Sequence, residues 1–480
     1  MNAPKPTRML AALALSAATV LTATAAPSKG EASAALRKAV SFFQTQAGYR
    51  GAYLYKYSAD LKKQEGEGKA LKTTGWTQPP GTPYVGEAYL EAYQITGEKY
   101  LLDAAKQTAY ALAASQLRSG GWDSRFELGA SERRRHAYRT EPDTGKRRNH
   151  TTLDDNKSQS CLMFLMHLDQ ELNFKDKRIR DTLDYAFKHF LAAQYPNGAW
   201  PQQFAAPPDP KEFPVQKARY PKTWSRTYPK KDYRGHYTFN DNSIADMLNV
   251  LLEAHRIYGD RKFLAAAKKT GDFMLLAQMP EPQPGWAQQY NADMVPAWAR
   301  KFEPASISGG ESQGVMRTLI NLYRKTGDAR YLEPLPRALA YYKRSLRPDG
   351  RLARFYELKT NKPLYFTKDY QLTYSDADMP THYGFIVGSK LDSIEREFEK
   401  LKSTPKDKLN PLRKKPTYRM SSGLAKRTQS VIKSLDRRGA WVEKGTLRYH
   451  GADDNTRQII DTKTFVKNMR TLAQFIAAAR

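Results

Sequence analysis

Thr96-Gly97-Glu98-Lys99-Tyr100, Tyr258-Gly259-Asp260-Arg261-Lys262-Phe263 and Thr326-Gly327-Asp328-Ala329-Arg330-Tyr331 are variants of one phrase, and their recurrence decides the fold. Phe174-Lys175-Asp176-Lys177-Arg178 takes the same place without the glycine. Each phrase opens about twenty helix-patterned residues that run to a turn. The turns are Gly120-Gly121-Trp122, Asn197-Gly198-Ala199-Trp200, Pro284-Gly285-Trp286 and Asp349-Gly350-Arg351-Leu352. Trp122, Trp200 and Trp286 are 78 and 86 residues apart. A period this long suits a helical hairpin plus a variable loop better than a short solenoid unit.

Working outward, the pattern before and after each phrase is helical. In the stretch 181–191, Leu183, Ala186, Phe187, Phe190 and Leu191 fall on one face. Ile244, Met247, Leu248, Leu251 and Leu252 follow Asp241-Asn242-Ser243, an acidic and amidic helix start. Helices are therefore expected over 84–96, 157–172, 241–257 and 311–325, with a further one over 32–46. The expected fold is all-α: an (α/α) toroid or barrel of repeated helical hairpins, with loops at one end carrying the chemistry. Long loops at 127–150, 205–236 and 286–310 are rich in Pro, Arg, Lys and Tyr, and loops of this length are usually functional or disordered.

Three segments are expected: a signal peptide over 1–26, the toroid as catalytic domain over 27–396, and a basic linker with a C-terminal appendage over 397–480. Lys5 and Arg8, the apolar run Met9 to Val20 and the small-x-small Ala23-Thr24-Ala25 have the pattern of a cleaved export signal. That predicts a secreted or periplasmic protein without membrane insertion after cleavage. The lone Cys161 means that no internal disulfide supports the fold. The formal charge of +29 points to a polyanionic partner or to a basic, solvated surface. Export argues against nucleic acid. A polyuronate, with one carboxylate per sugar, suits the expected location, and a monomer is expected.

Three clusters are candidates for chemistry. His150-Thr-Thr-Leu-Asp154-Asp155-Asn156 precedes one helix, and Thr238-Phe-Asn240-Asp241-Asn242 precedes another. Helix capping accounts for either one alone. Hard oxygen ligands in a row also suit Ca²⁺, and the recurrence places both clusters at one end of the barrel. The third cluster, Pro296-Ala-Trp298-Ala-Arg300-Lys301-Phe-Glu303-Pro304, offers Arg300 beside Lys301 for an anionic substrate, or a plain salt bridge from Arg300 to Glu303. Arg351 and Arg354 can pair with sugar carboxylates or lie as surface charge. Trp200, Trp298 and Tyr356 offer faces for sugars or sit in the core.

Six segments, in order, resemble the pectate lyases of polysaccharide lyase family ten. They are Gln78-Pro-Pro-Gly-Thr-Pro83, Thr151-Thr-Leu-Asp-Asp-Asn156, Ala193-Gln-Tyr-Pro-Asn-Gly-Ala-Trp-Pro-Gln202, Tyr237-Thr-Phe-Asn-Asp241, Gly285-Trp-Ala-Gln-Gln-Tyr290 and Ala299-Arg-Lys-Phe-Glu-Pro304. The resemblance runs from about residue 75 to about 360. It implies an (α/α) toroid that cleaves polygalacturonate by β-elimination with Ca²⁺. On the matching positions it implies Asp154 or Asp155, together with Asp241, as metal ligands, and Arg300 as the base. Asn156, Trp200, Asn240, Trp298, Lys301, Arg354 and Tyr356 are the expected substrate contacts. The chain departs from the family pattern at Lys157, where a small residue is usual, and in the length of the 205–236 loop. Two other classes stay open: a glycoside hydrolase using Asp241 with Glu303, which needs two carboxylates and no added metal, and a non-catalytic polyanion-binding protein.

Overall fold

Gly97, Gly259 and Gly327 each end a helix with a left-handed backbone, φ 78°, 69° and 68°, a conformation that glycine adopts without steric cost. Where the glycine is missing, Asn173 and Phe174 take that conformation instead, at φ 51° and 61°. The acid after the break starts the next helix: Asp176, Asp260 and Asp328 each accept a hydrogen bond from a backbone N–H two or three residues on. The recurring phrase is thus a stop and a start with almost no loop between, which folds two helices back on each other.

The computed structural model describes residues 26–410 and 416–479. The expected signal peptide lies, except for its last residue, outside the described residues. Within them run α1 (Lys29–Phe42), α2 (Thr82–Thr96), α3 (Lys99–Ala114), α4 (Lys157–Glu171), α5 (Lys177–Ala193) and α6 (Ser243–Tyr258), then α7 (Arg261–Leu276), α8 (Glu311–Thr326), α9 (Leu335–Arg344), α10 (Leu391–Lys402), α11 (Ser422–Lys433) and α12 (Thr462–Ala478). Helices α12, α2, α4, α6, α8 and α10 pack side by side in that order from α12 to α2 and on to α10, while α3, α5, α7 and α9 lie outside them. This is the expected (α/α) toroid. None of the described helices is long and apolar enough to cross a membrane.

Each hairpin is also tied at one end by a short antiparallel pair. Residues 74–76 pair with 125–127, 151–152 with 203–204, 237–238 with 289–290 and 307–308 with 355–356. In each case the first strand leads into an inner helix and the second leaves the turn after its outer helix. The turns close tightly. A Cβ on Gly198 would come within 2.0 Å of the Lys269 carbonyl oxygen.

The same pattern corrects the expected domain division. Residues 56–58, which follow α1, pair antiparallel with 459–461, which lead into α12. The two ends of the described chain therefore make one hairpin, α12 inside and α1 outside. Phe465, Val466, Met469, Leu472 and Phe475 of α12 lie in the same core as Leu36, Val40 and Phe43. The last helix is part of the ring and not an appendage, and the expected boundary at 396/397 falls inside α10. The stretch read as a linker contains α11, followed by a turn at Gly439-Ala440-Trp441 whose indole Nε1 donates to the Val431 carbonyl. Trp122 and Trp286 do the same to Leu112 and Met274.

Candidate active site at the turns before two inner helices

Thr152-Leu153-Asp154-Asp155-Asn156 and Thr238-Phe239-Asn240-Asp241-Asn242 fold alike. Each threonine hydroxyl accepts the N–H of the residue two further on, Asp154 or Asn240. Each turn then places an Asp-Asn pair in the left-handed region: Asp155 and Asn156 at φ 49° and 58°, Asp241 and Asn242 at 48° and 57°. Asp and Asn tolerate this region better than other side-chain-bearing residues. The helices begin directly after, and neither Asn156 nor Asn242 makes a side-chain cap hydrogen bond. Capping is therefore not what these residues do. The carboxylates turn toward one another beside two helix N-termini, where negative charge is favoured. Buried Gln159 joins the turns, its Nε2 donating to the carbonyls of Leu153 (2.7 Å) and Ser243 (3.3 Å).

Asp154, Asp155 and Asp241 converge so that one carboxylate oxygen of each lies within 4.8 Å of the others. All three are half-buried. Burial, and then the charges of Asp154 and Asp155, push the Asp241 carboxyl far above the usual range. Asp155 is also raised, by burial and by Asp154. Asp154 goes the other way: burial would raise it, but the Lys157 ammonium holds it low. Lys157 Nζ sits 2.9 Å from Asp154 Oδ2 and 3.7 Å from Asp155 Oδ2. Gln202 Nε2 donates to the other Asp154 oxygen at 2.9 Å. Three converging carboxylates, two of them holding their protons more tightly because of the others, fit a hard divalent cation whose charge would offset their repulsion. Asp154 and Asp155 both stand in the cluster.

Arg300 faces this cluster, with Nη2 3.9 Å from Asp241 Oδ2. The same nitrogen donates to Glu303 Oε1 at 2.6 Å, and the Arg300 backbone N–H donates to Glu303 Oε2 at 3.1 Å. Burial would lower the Arg300 pKa, but the bond and charge of Glu303 overcome it and hold the guanidinium firmly protonated. Glu303 is 1% exposed and also accepts from Gln288 Nε2 (2.6 Å) and the Tyr383 hydroxyl (3.0 Å). Tyr383 lies under both arginines, 5.6 Å from Arg300 and 4.4 Å from Arg354, measured from the guanidinium carbon to the ring centroid. Arg354 is half-buried and pairs with Glu311 at 2.5 Å. Its Nε and that of Arg300 are buried without a hydrogen-bond partner.

The expected substrate contacts divide. Asn240 is a buried support, its Nδ2 donating to Asp241 Oδ2 at 2.6 Å. Trp298 is 7% exposed and its Nε1 donates to the Arg300 carbonyl, so it positions the arginine and offers no open face. Trp200 and Tyr356 are corrections: both are core side chains, at 0% and 1% exposure. Trp200 Nε1 donates to the Thr270 hydroxyl, and the Tyr356 hydroxyl donates to the Ser345 carbonyl. Asn156 stands in the acid turn. Lys301 is exposed, with its ammonium 3.4 Å over the Tyr370 ring. Arg351 is a surface residue held by Asp349 at 2.8 Å. Gln202, Gln288 and Tyr383 were missed. The first two share a signal, Trp-x-Gln after a turn, in Trp200-Pro-Gln202 and Trp286-Ala-Gln288. Tyr383 comes from a loop without any motif.

Residues 116–346 match the family model described as pectic acid lyase. No curated protein matches the chain by sequence. Among solved structures, the family 10 polysaccharide lyase from Cellvibrio cellulosa is 22% identical, covering 66% of this chain and 95% of its own, with a TM-score of 0.44. A mutant of that lyase in complex with trigalacturonic acid gives the same identity and score and is covered over 98%. Cellobiose 2-epimerase from Bacillus thermoamylovorans is 13% identical, covering 93% of this chain and 98% of its own, with a TM-score of 0.42. Likeness at this level brings no chemistry from those proteins to this one. The family match spans the acid turns, their glutamine partners and Arg300, so over residues 116–346 this chain resembles the pectate lyases of polysaccharide lyase family ten.

Proposed function

We propose that the chain is an exported pectate lyase, acting as a monomer, that cleaves polygalacturonate by β-elimination and uses Ca²⁺. One observation carries this reading: three carboxylates from two successive hairpins converge beside an arginine, within a segment matched by the pectic acid lyase family. Asp154, Asp155 and Asp241 would hold the cation. When bound, Ca²⁺ would neutralise the uronate carboxylate and favour the charge that develops next to it as the C5 proton leaves.

The chain's own groups supply the rest. Arg300, 3.9 Å from Asp241, would take the C5 proton from a sugar held over the acids. It acts as base only after its pair with Glu303 opens, because that pair keeps it protonated. Proton loss from C5, a new C4–C5 double bond and departure of the C4 oxygen balance the reaction, with water protonating the leaving oxygen. Arg354, which shares the Tyr383 ring with Arg300, would take a second uronate carboxylate. The net charge of +29 would draw a polyanion to the protein. The leader-like residues 1–26 fit a substrate found outside the cell.

A hydrolase built on Asp241 and Glu303 is disfavoured. Such an enzyme needs two carboxyl groups open to the scissile bond, and Glu303 is buried with Arg300, Gln288 and Tyr383 all bonded to it. The test is product chemistry on polygalacturonate. Reducing ends and ultraviolet absorbance of an unsaturated uronate should rise together. Reducing ends without absorbance would mean hydrolysis, and binding without either would mean a polyanion-binding protein. Each outcome would sink the lyase.

A further inference from the structure

Lys157 is the first residue of α4, and it is 3% exposed. Two effects oppose an ammonium there: the first turn of a helix repels positive charge, and burial strips its hydration. Acids offset them, through contacts of 2.9 Å to Asp154 and 3.7 Å to Asp155 and through the charge of Glu67. At the equivalent place in the next hairpin stands Ser243, buried and uncharged. The lysine is therefore not demanded by the turn. It also leaves Asp154 fully engaged, with Oδ2 on Lys157 and Oδ1 on Gln202. A divalent cation that takes Asp154 as a ligand must displace a donor, and the donor carrying positive charge is the one it repels.

We propose that Lys157 is a tethered rival of the divalent cation, its ammonium occupying part of the acid cluster so that the metal binds only by driving it out. The inference rests on the reading of the acid cluster as a calcium site. Lys157 then weakens calcium binding in the absence of substrate, and the chain takes up the metal only where calcium is plentiful.

The test is calcium titration by calorimetry on the full chain and on Lys157→Met, which keeps the buried stem and removes the charge. K157M should bind calcium roughly tenfold tighter or more, since a like charge a few ångströms away is removed from a half-buried site. Calcium should also raise its melting temperature further than that of the parent, as tighter binding to the folded state requires. Should K157M not fold, Lys157→Gln, with a neutral donor, is held to the same criterion. Equal or weaker calcium binding in the variant, with the parent binding calcium, would overturn the rivalry and leave the calcium site standing. No calcium binding in either, with cleavage of polygalacturonate unaffected by calcium, would overturn the metal reading and this inference with it.

Discussion

The turn 152–157 and the turn 238–243 share a backbone and differ at two side chains that matter. Asp154 in the first matches Asn240 in the second, and Lys157 matches Ser243. The first turn thereby carries two acids and its own cation. The second carries one acid, Asp241, whose neighbour Asn240 donates a hydrogen bond but no charge. Asp241 is the carboxyl driven highest, because burial and the two acids across the gap act on it without a matching ammonium. A repeated scaffold carries two unlike turns, and the second has no cation of its own. Arg300 approaches from that side.

Breaking the site on the side of the second turn should cost most. Arg300→Ala is expected to lower turnover on polygalacturonate about a thousandfold, the range of a lost proton-transfer group, read as unsaturated-product absorbance. Asp241→Asn should weaken calcium binding by on the order of a hundredfold, measured by calorimetry. If D241N binds calcium like the parent, the two turns are not unlike in the way described. Glu303→Gln sharpens the comparison. Glu303 raises the Arg300 pKa, so its neutralisation lowers that pKa. A base that works only when deprotonated should give a rate that rises at alkaline pH, and in E303Q that rise should move to lower pH by roughly one unit or more. A pH–rate profile with no such shift would remove Arg300 as the base.

The smallest effect lies beneath the two turns. His167 of α4 bonds Glu87 of α2 at 2.8 Å and Glu253 of α6 at 3.1 Å. Burial would lower its pKa, but the bonds to Glu253 and Glu87 raise it from 6.5 to about 9. The folded protein holds this proton more tightly than the unfolded chain, so the stabilisation is complete below about pH 6.5 and is lost as pH rises through 9. It amounts to about 3 kcal/mol at most. His167→Gln should lower the melting temperature at neutral pH and narrow its gap to the parent at high pH, followed by circular dichroism.

The local parts of this molecule are legible in its sequence. The Gly-Asp phrase marks a helix stop and start within three residues, and the Asp-Asn pairs mark turns that only such residues make readily. The hairpin of α12 and α1 is not legible, because residues 56–58 and 459–461 meet only in space and no nearby residue announces it. The aromatic side chains failed for a related reason. Trp200 and Tyr356 lie beside motif residues in the chain, yet their rings point into the core, and composition does not say which way a ring faces. In the sequence Glu303 fits both a salt-bridge partner and a spare acid. Its burial and the donors around it support the first.

The most direct measurement is the rate of unsaturated product from polygalacturonate before and after a calcium chelator, and again after calcium is restored. The account predicts that absorbance stops rising with the chelator and resumes with calcium. An unchanged rate in the chelator would contradict it.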